Sequence, residues 1–336
     1  MNAWLQRMTV LLQALGALLL AWAAAAWMQR ARGVGPAGAW LGALLLAAGV
    51  MLLLQGLVVG RGFVLARRIN RALPAGRQPT AVWIGAWLRE WRVSLQVFSW
   101  RQPWRTQAEP DFLVPGAGGK RALLLLHGYY CNRALWQPAM RQARSHGVPH
   151  LALTLEPAFG SIDAYAGAIA AAVERLYTAT GAPLVIVGHS MGGLAVRAWI
   201  ASLDEAQHQQ ALSRVERIVT VGTPHRGTAL ADTFASWPIG ANGRQMRRDS
   251  DWLRANAERI GPAWRARMAC VYSPTDNIVM PYDSALLDGA ASLRIDGRGH
   301  VELLFAPELG PLWQRAALPT GAAAPGSRPL TDDACR

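Results

Sequence analysis

The sequence predicts an α/β body whose mostly parallel sheet is covered by helices on both faces, preceded by an N-terminal transmembrane helical hairpin. Three observations point there. Two uncharged apolar stretches occupy most of the first sixty residues, and six short apolar runs alternate with amphipathic stretches from residue 122 onward. Between one such run and a helix stands a serine flanked by glycines. The composition agrees: 336 residues suffice for one large domain plus extra segments, and 52% hydrophobic with only 16% charged is too apolar for disorder. A charged share so far below the ~25% of ordinary soluble domains places part of the chain in lipid.

The net charge of +13 is unevenly spread: residues 1–121 hold 14 Lys or Arg against 3 acids, and residues 122–336 hold 20 against 18. The basic excess flanks apolar segments, where arginines meet lipid headgroups, and forms no aromatic-interleaved basic face. No nucleic-acid partner is expected. Cys131, Cys270 and Cys335 have neither zinc nor redox spacing and leave one thiol unpaired in any disulfide scheme.

Residues 8–28 and 33–60 carry no charge, and each exceeds the ~20 residues a helix needs to cross a hydrocarbon core. A cleaved signal peptide is the alternative for the first, since Arg7 precedes it and alanines 23–26 offer small residues, but its apolar run is long for that role. The second has no such alternative. The expected hairpin turns at 33–38 around Pro36, and Arg61, Arg67, Arg68, Arg71 and Arg77 outnumber Arg30 and Arg32 in the turn. By the positive-inside rule the larger cluster is cytoplasmic, which places the following body on the cytoplasmic side of a multi-pass inner-membrane protein. Within residues 80–104, Trp83, Trp87 and Trp91 form a stripe with Ile84, Leu88, Leu95 and Phe98. It reads either as an interfacial helix beside lipid headgroups or as a helix packed on the body.

Strands are expected at 122–126, 151–155, 184–187, 218–221, 268–272 and 293–295, and helices at 133–145, 162–180, 193–203 and 303–316. The resulting division is a two-helix anchor at 1–62, a basic, Trp-rich amphipathic linker at 63–112, the α/β body at 113–318 with a candidate cap or lid at 225–265, and a disordered tail at 319–336. Residues 116–120 superficially resemble a phosphate loop, but Arg121 stands where Ser or Thr must follow the lysine.

Chemistry concentrates in Gly188-His189-Ser190-Met191-Gly192, directly after the run LVIV and directly before a helix. Small neighbours let the chain turn tightly there so that the hydroxyl stands clear. A serine needs a base, and the base an acid to hold its tautomer. His300 and Asp276 supply them, each in a loop after a strand candidate. Asp283, Asp296, Glu302, Asp249 and Asp251 are rival acids, but Asp276 alone directly follows a strand. Backbone N–H groups of Tyr129, after the first strand of the body, and Met191, after the serine, are the expected oxyanion donors. His127, His189 and His225 read as bracing residues.

The motifs LLLLHGYYCN (123–132), VGHSMGG (187–193), VGTPHRGT (221–228), SPTDNIVMP (273–281) and GHVELLF (299–305) together resemble bacterial triacylglycerol lipases and esterases of the α/β-hydrolase superfamily. The resemblance covers residues 113–318 and implies serine ester hydrolysis through an acyl-enzyme, with no cofactor. Structural calcium, bound by some secreted lipases, finds no matching ligands and is not expected. The expected function is a membrane-anchored carboxylester hydrolase acting on an acyl ester or lipid substrate. Alternatives are a thioesterase or transacylase on the same triad, or a noncatalytic membrane scaffold. Trp237, Met246, Trp252, Leu253 and Trp264 in the candidate lid either cover the site and favour an acyl chain of medium length, or merely pack the insertion onto the body.

Overall fold

The computed structural model describes residues 2–114, 121–233 and 240–311. Helix α1 (Asn2–Arg32) and helix α2 (Pro36–Asn70) are joined by three residues, with Gly33 at φ +63° and Pro36 opening α2. Proline suits that position because its missing N–H would lack an intrahelical partner anyway. The turn is therefore tighter than the 33–38 expected. Ala21 and Ala25 of α1 meet Ala39, Ala43 and Ala47 of α2 in a fully buried seam, where small side chains let the helices approach closely. Elsewhere both present leucines outward: only 11% and 17% of their most apolar stretches is buried, far too little for core helices of a soluble fold. By length and composition both can cross a membrane.

No break falls at 62/63. Helix α2 continues to Asn70, because nothing in RGFVLARRIN interrupts a helix and Phe63, Ala66 and Asn70 present one buried face to the body. The following stretch is helical as well. Helix α3 (Thr80–Ser94) buries Trp83, Ala86, Glu90 and Val93 at helical spacing and runs into a π-helix (Leu95–Arg101) and the short α4 (Gln102–Trp104). Pro103 has no N–H to give and its ring crowds the carbonyl four residues back, a local cause for the wider π turn. The tryptophan stripe packs on α2: Trp83 meets Phe63 edge-on, Trp87 donates to Gly56 O at 2.8 Å, and Trp87 and Trp91 stack over Gly60 and Gly56. The stripe thus meets α2, a partner that neither reading of residues 80–104 named, while Val93 and Val97 join the core of the body.

The body holds β1 (Ala122–Leu126), β2 (His150–Leu153), β3 (Leu184–His189), β4 (Val215–Val221), β5 (Met268–Tyr272) and β6 (Ala291–Arg294). Their order is β2-β1-β3-β4-β5-β6 and every adjacent pair is parallel, with Leu126 opposite Gly188 and His189 opposite Val221. Strands β1 and β3 are buried throughout, which explains their unbroken apolar runs: both faces of the sheet are covered. Helices α5 (Gln137–Ser145), α6 (Ala166–Thr180), α7 (Met191–Ala201) and α8 (Glu205–Arg214) fill the crossovers. Two cores result, one between the sheet and α6/α7, the other between the sheet, α5 and the π-helix. The chain leaves β1 toward one edge for β2 and returns to the other side for β3, so a crevice opens between the C-terminal ends of β1 and β3.

The helix expected at 303–316 does not begin at 303; within its described part only Gly310 and Pro311 are α-helical. Residues Glu302–Phe305 and Pro307–Leu309 form separate 3₁₀ turns, because Pro307 holds Ala306 extended at ψ 130°. The candidate lid contains short helices α9 (Ala229–Thr233), α10 (Gly240–Gln245), α11 (Asp251–Glu258) and α12 (Pro262–Arg265). Leu253 and Trp264 are buried in the first core, Trp264 edge-on to Trp199 of α7 at 5.9 Å, and the indole of Trp252 donates to Asp163. These side chains pack the insertion onto the body. Trp237, Cys335, the 116–120 stretch, the 319–336 tail and residues beyond Pro311 lie outside the described residues.

Candidate active site

At the end of β3 the chain turns abruptly into α7. Ser190 takes φ +55° and ψ −127°, backbone angles that L residues rarely adopt, and its N–H donates to Val221 O at 2.8 Å. The turn leaves no room for side chains beside it. A Cβ on Gly188 would lie 2.6 Å from Gly193 N, and one on Gly192 2.4 Å from Leu126 O. The glycines of the pentapeptide are therefore steric requirements, and they put Ser190 in the crevice between β1 and β3.

Two loops farther along the sheet bring the expected acid and base together. His300 Nδ1 and Asp276 Oδ2 are 2.8 Å apart, while Asp276 Oδ1 accepts from Ile278 N and Val279 N, each at 2.8 Å. Asn277 Oδ1 accepts from His300 N at 3.0 Å and fixes the base loop to the acid loop. Both side chains are buried. Burial by itself would lower the His300 pKa, but the charge and hydrogen bond of Asp276, joined by the charge of Glu90, outweigh it and raise the pKa above its usual value. The rival acids are engaged elsewhere: Asp283 with Arg226, Asp296 with Arg294, Asp251 with Arg254, and Glu302 with Arg89 and Arg298. Asp249 sits in a turn at φ +51°.

His300 and the serine have neighbours in common. The rings of His189 and His300 are 4.6 Å apart, and His189 Nε2 lies 3.1 Å from His300 O. Burial holds His189 neutral, with its pKa well below the ordinary value. Gly222, following the strand whose last carbonyl binds Ser190 N, lies where a Cβ would come 3.1 Å from Asp276 Oδ2 and 3.2 Å from His300 Nδ1. A hydroxyl on a strained turn and a carboxylate-held imidazole at the same edge of the sheet are groups that nucleophilic acyl transfer could use.

The loop after β1 completes the surroundings. A Cβ on Gly128 would lie 2.8 Å from Ser190 Cβ and 3.3 Å from its Oγ, so Tyr129 follows immediately beside the serine. Met191 opens α7, where an N–H has no acceptor within the helix. His127 braces the loop: its Nε2 accepts from Leu155 N at 2.8 Å, and burial pushes its pKa down to about 4. His225 lies between Arg197, Thr220 and Cys270. Among the described residues no group of three His, Cys, Asp or Glu side chains has the arrangement of a metal site.

Sequence reasoning missed the contacts that the N-terminal helices make with these loops. Asn2 Nδ2 donates to Cys131 O and Leu155 O, and Gln6 Nε2 donates to Tyr130 O at 2.8 Å. Tyr130 stands at φ +55°, costly for a bulky residue, and its hydroxyl lies 2.6 Å from Thr9 Oγ1. Asn70 at the end of α2 donates to Pro274 O and accepts from Tyr282 N, each at 3.0 Å, on either side of Asp276. Glu90 of α3 accepts from Val301 N and Glu302 N. The available signal was composition: Glu90 is the only acid before Glu109.

The sequence matches the Alpha/beta hydrolase family over residues 123–333. The structure is similar to a Bacillus licheniformis lipase, BlEst2, in its mature form, with TM-score 0.52 and 17% identity over 62% of this chain and 96% of that one. Against the propeptide form the TM-score is 0.50 at 19% identity, over 64% of this chain and 55% of that one. At such identities the likeness is one of fold. Helices α1, α2 and α3 precede the matched family span.

Proposed function

Because the chain belongs to the alpha/beta hydrolase family, we propose that it is a membrane-anchored serine hydrolase cleaving carboxylic esters of bilayer lipids through an acyl-serine intermediate. Ser190 Oγ attacks the ester carbonyl while His300 Nε2 takes its proton, since Nδ1 is committed to Asp276. The N–H groups of Tyr129 and Met191 receive the charge that develops on the carbonyl oxygen. His300 then protonates the departing alcohol, and water activated by the same base releases the acid.

The observation that carries the lipid reading is the edge of the sheet from which the apolar helices depart. Helix α1 begins on the loops after β1 and β2, and α2 ends on the loop after β5; all are at the C-terminal edge, where Ser190, Asp276 and His300 stand. The site and the lipid-facing helices thus share one side of the body. A cavity of about 270 Å³ between α1, α2 and the π-helix supports the same reading. Leu54 and Val58 line it on one side and Tyr130 on another, so an acyl chain lying between the helices would end one residue from Tyr129.

The test is hydrolysis by the full chain in vesicles carrying fluorogenic diacylglycerol or phospholipid esters, beside fluorophosphonate labelling. Ser190→Ala is expected to remove labelling and to reduce turnover to the residual that binding and the oxyanion donors leave, while membrane association is unchanged. Wild-type turnover by the alanine variant would overturn the nucleophile. Cleavage of soluble esters but of no vesicle lipid would overturn the substrate class.

A further inference from the structure

Glu90 is a buried acid supplied from outside the family-matched span, and its carboxylate hydrogen-bonds to the base loop. It is 2% exposed. Its Oε1 accepts from Val301 N at 2.9 Å and its Oε2 from Glu302 N at 2.7 Å, so the carboxylate grips the backbone immediately after His300. Just before His300 the fit is as close: a Cβ on Gly299 would come 2.6 Å from Glu90 Oε2. Each carboxylate oxygen meets an N–H, the arrangement that favours the ionised form. Yet among the described residues no Lys or Arg forms an ion pair with Glu90. The guanidinium of its neighbour Arg89 goes to Glu302, which also takes Arg298.

Packing alone accounts poorly for this choice, because a buried carboxylate without a cation is costly to keep. The cost falls if a positive charge arises beside it. We propose that Glu90 is a positioning residue for His300: its hydrogen bonds fix the base loop, and its negative charge stabilises the imidazolium that forms when Ser190 gives up its proton. The proposal rests on the serine-hydrolase reading above. No proton passes to Glu90; the proton of Ser190 Oγ goes to His300 Nε2 and on to the leaving alcohol, and Glu90 remains a carboxylate beside it. The base is then flanked by Asp276 at Nδ1 and by Glu90 beneath its backbone, with the neutral His189 ring against its face. Glu302, the other acid of the loop, is neutralised by its two arginines.

The titration behaviour agrees with that coupling. Burial, outweighing the lowering by the two backbone N–H groups and by His300, raises Glu90 to about 7, and the Glu90 charge in turn helps to raise His300. A base must be neutral to accept a proton, so removing the Glu90 charge lowers the His300 pKa and shifts the acid limb of the rate profile to lower pH.

The experiment compares wild type, Glu90→Gln and Glu90→Asp as full chains in detergent, hydrolysing a soluble nitrophenyl ester from about pH 5 to 9, with active sites counted by fluorophosphonate. In Glu90→Gln, kcat per labelled site is expected to fall about 10-fold or more at unchanged KM, and the acid limb to move down by roughly half a unit. Glu90→Asp keeps the charge and is expected to keep the acid limb. A lower melting temperature with kcat and acid limb both unchanged would overturn the proposal and leave Glu90 as packing. Should the Gln variant fail to fold, the wild type still decides. The ¹³Cε1 resonance of His300, assigned by its loss in His300→Asn, is expected to titrate in two coupled steps; a single step would overturn the coupling. If Ser190→Ala keeps full activity, the hydrolase reading fails, and the histidine titration still reports separately on Glu90.

Discussion

A pair of atoms 2.8 Å apart, His300 Nδ1 and Asp276 Oδ2, sets the expectations for individual residues. Asp276→Asn is expected to lower kcat/KM by about 10⁴, because an amide at that position leaves the imidazole in the wrong tautomer. Asp283→Asn, which disturbs only a half-exposed pair with Arg226, should stay within a few-fold of wild type. Equal losses from the two variants in a soluble-ester assay would reverse the choice of acid. Because the pKa of His300 is raised, the base is protonated over more of the acidic range, and kcat/KM should fall below an apparent pKa higher than the ordinary 6.5. Stopped assays across pH would read it; an acid limb below 6.5 would contradict the environment described. The positions of Ser190, Asp276 and His300 after strands were legible because each sits in a short motif that follows one. Glu90 was not, since its partners lie 211 and 212 residues away and no local pattern marks such a contact.

Periodicity told most about the elements where one face alone is buried, and least where two faces compete. The β1 and β3 runs were readable as strands covered on both sides. The tryptophan stripe of α3 was readable as a stripe but not as a contact with α2, because an apolar helix face looks alike whether it meets lipid or protein. The insertion after β4 presented the same ambiguity, and burial resolves it for Leu253 and Trp264. Trp264→Ala should therefore cost about 3–5 kcal/mol of stability by opening a cavity beside Trp199. Its preference among esters of different acyl length should match wild type. Thermal melts alongside an acyl-length series would check both, and a changed preference at unchanged stability would restore this insertion as part of the substrate site.

For the molecule as a whole, two unequal basic clusters frame the apolar helices. Arg30 and Arg32 lie at the hairpin tip, whereas Arg61, Arg67, Arg68, Arg71 and Arg77 lie at the end that joins the body. With the proposed membrane placement, the positive-inside rule predicts the larger cluster, and with it the body, in the cytoplasm. A reporter active only in the cytoplasm, fused at the C-terminus, should be active, and a periplasmic reporter silent; the reverse would place the body across the membrane. The presence of the hairpin was legible in its uncharged length. Its attachment was not: residues at the start of α1 and the end of α2 look like ordinary flanks until the fold brings them to the β1, β2 and β5 loops.

Under the proposed membrane placement, that attachment would make the hairpin a lever as well as an anchor. Its two legs end on different parts of the site, α1 on the loop that carries Tyr129 and α2 on the loop that carries Asp276, while the closed tip lies at the other end. In the proposed membrane placement, helices of 31 and 35 residues are longer than the bilayer is thick and would answer a change in its thickness by tilting. Tilt at the tip displaces one leg relative to the other and so changes the spacing of donor and acid around Ser190. In vesicles of graded lipid acyl length, turnover of a soluble ester should pass through a maximum, so that the thickness of the surrounding membrane acts as a setting for the rate. A flat response would mean that the legs yield before the loops do.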